Sequence, residues 1–181
     1  MKKALVVICT LFLIGCSSDD EKRLSDGMWN GRGGIYCEAN GLKMQPNGGL
    51  FSDDSDCTFD SYYDEVLNQS VPVLHIGFSQ TVNGKFMAVD MFAKLGDSTP
   101  TDDLGGKTFP LTSESFDNSY ATFTIDDFDN LFRTNTEVNG ELRITFHNRE
   151  LHFLVGFFQY DCVDNEGNVI AVRNGKFDMS Y

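Results

Sequence analysis

No stretch of this 181-residue chain is apolar for long enough to cross a bilayer. Its one greasy run, Ala4 to Ile14, is about half of the roughly 20 residues that a spanning helix needs. Beyond that run no amphipathic segment reaches three helical turns, so strands are left as the building material. Cations are scarce: 14 Lys and Arg stand against 27 Asp and Glu. That balance repels phosphate backbones and anionic headgroups and excludes nucleic acid as a partner. Reactive patterns are missing too. There is no Gly-x-Ser-x-Gly, no His-Glu-x-x-His, no Cys-x-x-Cys and no Cys-His cluster, so no catalytic residue, cofactor or metal is expected. Gly31-x-Gly33-Gly34 leads into a strand, whereas a phosphate cradle needs a helix N-terminus behind it. His75, His147 and His152 read as surface or turn residues.

What the chain does have begins at its start. Lys2 and Lys3, the apolar run, and Leu13-Ile14-Gly15-Cys16 have the order of charge, grease and small residue of a bacterial secretory signal that ends in a lipobox. Residues 1–15 are then a leader, and Cys16 is the first mature residue and the site of acylation by palmitate-like chains. More than one chain is needed for stable anchoring, so the membrane is contacted through the N-terminal lipids. Residues 16–26 form a short acidic tether, and 27–181 a single β-domain of ordinary size. Ser17-Ser18-Asp19-Asp20-Glu21 resembles the acidic export signal of surface lipoproteins in the Bacteroidota. The resemblance implies an outer-membrane protein facing outward, with the periplasmic face as the alternative.

Without the two leader lysines, 12 cations face 27 acids, yet the chain carries 16 Phe. So many rings exceed what a solvated chain holds, and the acids must decorate a packed interior. Cys37, Cys57 and Cys162 remain after the leader and Cys16 are set aside. In an oxidising compartment three cysteines point to one disulfide and one buried thiol. Cys37 with Cys57 closes the shortest loop and Cys162 is the alternative partner, a choice among three pairs that sequence leaves open.

Asn-Gly occurs six times, at positions 30, 40, 47, 83, 139 and 174. Both residues tolerate the positive φ of a tight primed turn, so the pair between alternating runs predicts hairpins. Gly34 to Ala39 and a partner from Leu42 make the first, and Val73 to Thr81 with Lys85 to Ala93 the second. Further strands are expected at Lys107 to Thr112, Ser119 to Ile125, Glu141 to Phe146, Leu151 to Val163 and Val169 to Tyr181. Asp126 to Phe132 reads as a loop, and so does the acidic stretch Asp53 to Asp64, a weak candidate for calcium. The expected fold is an antiparallel β-sandwich of about eight to ten strands. A lipocalin-like β-barrel is the competitor, because Gly27-Met28-Trp29 is similar to the Gly-x-Trp that opens such barrels.

Several motifs together carry a wider resemblance: Tyr36-x-x-Ala39-Asn40-Gly41, the Gly-Lys-Thr of Gly106 to Thr108, Gly156-x-Phe158-x-Tyr160, Asp164-x-x-Gly167-Asn168 and Asn174-Gly175-x-Phe177-Asp178. They resemble a family of Bacteroidota outer-membrane lipoproteins with no assigned activity, best over the last 30 residues. The resemblance implies a lipid-anchored β-domain and carries over no catalytic residue. Aromatics outside the alternating core positions are the remaining candidates for a ligand. Trp29, Tyr62 and Tyr63 lie in loop-like stretches where rings can stack on sugars. The function expected is a non-enzymatic surface binding module for a glycan or protein. Its rivals are an assembly subunit that pairs through a sheet edge and, less favoured, a hydrolase.

Overall fold

The computed structural model describes residues 31–46, 55–65, 68–98 and 101–181. The leader, Cys16, the acidic tether and Trp29 lie outside them. The described residues are all-β, without helix, and form one open antiparallel sheet of eleven strands that folds into a sandwich-like domain.

The strands are β1 (Arg32–Ala39), β2 (Leu42–Met44), β3 (Ser55–Asp64), β4 (Gln69–Val82), β5 (Lys85–Lys94), β6 (Thr108–Leu111), β7 (Tyr120–Ile125), β8 (Asp127–Arg133), β9 (Gly140–Asn148), β10 (Phe153–Val163) and β11 (Val169–Ser180). One run of neighbours is β2-β1-β11-β10-β9-β6, and the other is β3-β4-β5-β7-β8. They join where the far end of β10 leaves β9 and meets β8, through Val163 opposite Arg133. Side chains alternate along each strand, so Leu74, Ile76 and Phe78 of β4, Val89 and Met91 of β5, and Phe158, Tyr160 and Phe177 of β10 and β11 share one buried core. Tyr160 links the two runs directly: it is 1% exposed and its hydroxyl donates to the Thr122 carbonyl at 2.9 Å.

Two of the Asn-Gly pairs make the hairpins expected of them. Asn40 and Gly41 have φ of 48° and 80°, and Asn83 and Gly84 have 53° and 79°, the paired positive values of a type I′ turn. Asn174-Gly175 does something else. It lies inside β11 at a bulge, where Asn174 has φ 55° and the pairing with β10 jumps from Phe158 opposite Gly175 to Tyr160 opposite Val172.

The eleven strands bear out the expected all-β antiparallel fold. Three other expectations are corrected. Asp126 to Phe132 is not a loop: Asp126, at φ 62°, turns the chain sharply into β8, and Phe132 packs edge-on against Phe123 at 6.5 Å. Ser55 to Asp64 is likewise a full strand, pairing residue by residue with β4 from Phe78 to Gln69. Its acids Asp56, Asp60 and Asp64 fall on every fourth residue of that strand, and no metal-binding cluster occurs among the described residues. Finally, the expected disulfide is not formed: Cys37, Cys57 and Cys162 are three free, buried thiols. They lie on β1, β3 and β10. Cys37 and Cys162 are kept apart by the intervening β11, a lateral gap of about 9.6 Å, beyond the reach of a disulfide. Cys57 lies on β3 in the other run of strands and is likewise unpaired. Burial lifts each thiol to about 12.

Candidate functional site

The outer face of β9, β10 and β11 carries the site. Because the inward positions Leu142, Ile144, Phe158 and Phe177 are buried, their neighbours Glu141, Arg143, Phe157, Gln159 and Lys176 point outward. Phe157 on β10 lies directly opposite Arg143 on β9 and Lys176 on β11. It is 43% exposed, a large ring left in water in the middle of a charged row. Lys176 holds its ammonium 5.8 Å from the Tyr36 ring of β1 and 6.0 Å from the Phe157 ring, within the range of a cation-π attraction.

The β11 bulge shapes the floor. These side chains surround a shallow open hollow of about 300 Å³, with Asn174 and Gly175 at its edge. Gly175 cannot be larger, because a Cβ there would stand 2.5 Å from two carbons of the Phe158 ring. On one wall Asn174 donates to Glu38 at 3.1 Å, and on the other Gln159 donates to Glu141 at 3.5 Å. The hollow thus combines one exposed ring with amides, a carboxylate, a guanidinium and an ammonium, a set suited to recognising a polyhydroxylated ring and free of any nucleophile with an adjacent base.

Comparison with family models, with curated proteins and with solved structures finds no match. The residues themselves therefore carry the functional argument.

The aromatic candidates read from the sequence are not brought to this hollow. Tyr62 and Tyr63 belong to β3, in the other run of strands, and Trp29 lies outside the described residues. Tyr63 is 55% exposed and donates its hydroxyl to Asn68 at 2.6 Å. Tyr62 covers Lys94, whose Nζ sits 2.9 Å from the ring centre, with the Tyr120 ring 5.8 Å away. Lys94 is only 7% exposed and its ammonium has no hydrogen-bond partner among the described residues. Burial lowers it to about 8, against the upward pull of Glu114 and Asp64. Tyr120 continues into a stack of flat rings, with Phe92 at 4.7 Å and His75 a further 4.7 Å along, and His75 meets the Asp90 carboxylate at 2.9 Å. These rings stack on one another, which occupies faces that a sugar platform needs free.

Nor are all the histidines at the surface. His147 is buried on β9: its Nδ1 accepts from the Leu104 amide at 3.1 Å, which leaves Nε2 as the protonated nitrogen facing the Tyr181 hydroxyl at 2.8 Å. Desolvation lowers its pKa, opposed by the Asp103 carboxylate. His152, at φ 53°, does sit in the turn before β10. Phe157, Arg143 and Lys176 were passed over in the sequence because no motif marks them. The available signal was that Phe157 shares the polar face with Gln159 and Asp161 while Phe158 and Tyr160 take the core.

Proposed function

We propose that this protein is a non-enzymatic binding module, lipid-anchored at Cys16 to the outer membrane and facing the cell exterior, which takes a glycan on the outer face of β9, β10 and β11. One observation carries the glycan reading: the exposed Phe157 ring stands over a hollow ringed by Glu141, Gln159, Asn174 and two cations. An aromatic face takes the apolar side of a sugar while amides and carboxylates take its hydroxyls. The anchor rests on Leu13-Ile14-Gly15-Cys16 and the leader before it.

Two features favour binding over the rival readings. Glu141 is the single carboxylate lining the hollow, whereas glycoside hydrolysis uses a pair. Pairing through a sheet edge wants an uncharged edge, but β3 carries Asp56, Asp60 and Asp64, and β6 is four residues long with Pro110 in it. The test is a binding screen of the full chain in detergent against neutral and acidic oligosaccharides, repeated with Phe157→Ala. That variant is expected to lose tenfold or more, about the contribution of one central aromatic contact. Unchanged binding by Phe157→Ala, or no binding of any oligosaccharide, overturns the reading. Mass spectrometry of the N-terminal peptide from the native host checks the anchor, which falls if Cys16 is bare or the leader is retained.

A further inference from the structure

We propose that the glycan taken by this face is acidic: its ring lies on Phe157 and its carboxylate or sulfate is held between Arg143 and Lys176. The proposal rests on the glycan reading and gives it a ligand class. The register supplies the geometry. Arg143, Phe157 and Lys176 form one cross-strand row on three adjacent strands, so the two cationic side chains start about 9.6 Å apart with the ring between them. Both are long and flexible enough to close over a group seated on that ring.

Their charges are uncommitted. Among the described residues neither the Arg143 guanidinium nor the Lys176 ammonium makes an ion pair or hydrogen bond, and the Lys176 ammonium lies near the Tyr36 and Phe157 rings. Acids outnumber cations about two to one in this chain, and other cations have found them: Arg133 faces Glu114 at 3.6 Å and Arg173 meets Asp161 at 2.5 Å. Two unspent cations flanking one exposed ring are therefore a specific arrangement. A guanidinium offers a planar fork to a carboxylate, and charge-assisted hydrogen bonds are about twice as strong as neutral ones.

Glu141 sets the direction. It stands two residues along β9 from Arg143, about 6.8 Å away, where it repels an oxyanion and accepts from hydroxyls. The acidic group of the sugar is thereby directed to the Arg143 and Lys176 end, and its neutral hydroxyls to the end lined by Glu141, Gln159 and Asn174.

The experiment is calorimetry on the full chain in detergent with three probes: tetragalacturonate, a sulfated galactan tetrasaccharide and neutral galactotetraose. The double variant Arg143→Gln with Lys176→Gln and the single variant Phe157→Ala are run alongside. Both are surface changes, and an unchanged Tm verifies their folding. At least one acidic probe is expected to bind tenfold or more tighter than the neutral one. The double variant should lose that advantage, binding acidic and neutral probes alike, while Phe157→Ala weakens every probe. Preference for tetragalacturonate identifies a carboxylate, and preference for the sulfated probe a sulfate; either supports the proposal. Equal binding of neutral and acidic probes, unaffected by the double variant, overturns the acidic assignment and leaves the glycan reading standing. If none of the three probes binds, both fall.

Discussion

Lys94 is the residue whose situation is least comfortable. An ammonium removed from water loses most of its hydration, and two tyrosine faces return only part of it. Methionine has a similar length and no charge to desolvate. Lys94→Met is therefore expected to raise the unfolding free energy by about 1 kcal/mol at pH 7, measured by urea denaturation. A loss of stability instead would mean that the cation-π contacts outweigh the desolvation. His147 carries a second residue-scale expectation. Its folded pKa is lowered, so the unfolded chain binds the proton more readily, and the stabilisation is complete only above the unfolded value of 6.5. Protonation also turns Nδ1 into a donor facing the Leu104 amide. Stability should decline as pH falls from 6.5, and His147→Gln should flatten that decline in pH-dependent thermal melts.

At the scale of elements, the bulge in β11 decides whether the hollow exists. Gly175→Ala pushes a methyl to within 2.5 Å of the Phe158 ring, which is 2% exposed. Overpacking of this kind costs about 1–3 kcal/mol, read from the denaturation midpoint. The same substitution is expected to weaken oligosaccharide binding, because Phe158 and Gly175 both line the hollow. Tyr160 tests a different joint. Tyr160→Phe keeps the ring and removes the one hydroxyl that reaches the Thr122 carbonyl across the two runs of strands. The expected loss is about 1–2 kcal/mol, with no change in binding to the outer face. Elements also mark where sequence reading was adequate. Asn40-Gly41 and Asn83-Gly84 named their hairpins because a primed turn is a local affair of two φ angles. Asn174-Gly175 carries the same dipeptide, but a bulge depends on the partner strand, and nothing within β11 declares it. β8 was missed for a related reason: Asp126, Asp127 and Asp129 break the alternation, and β8 exists by pairing with β7.

For the molecule as a whole, the three buried thiols and His147 bracket a range of pH. Each thiol is raised from 9.0 to about 12, so the folded state keeps its protons longer than the unfolded one, and this stabilisation is lost as pH rises from 9 towards 12. Lys94, lowered to about 8 from 10.5, acts in the opposite sense, gaining stability between those values, but one amine is outweighed by three thiols. Maximal stability is expected between about pH 6.5 and 9. Loss beginning near pH 8 would contradict it. The same burial predicts that Cys37, Cys57 and Cys162 resist a thiol reagent at pH 8 in the folded protein and react once denaturant is added; immediate labelling of any of the three would show that its site is open.

The sequence by itself determined the class of fold, most of the strands and the inward faces, because alternation and turn chemistry act over a few residues at a time. It also carried the case for the lipid anchor, which is written in consecutive residues from Lys2 to Cys16. Tertiary structure alone decided that the three cysteines stay apart, that Tyr62 covers a lysine, and that Arg143, Phe157 and Lys176 stand in one row. Those facts depend on which strand lies beside which and in what register. Register between strands far apart in the chain is fixed by the shared core, which no single segment contains.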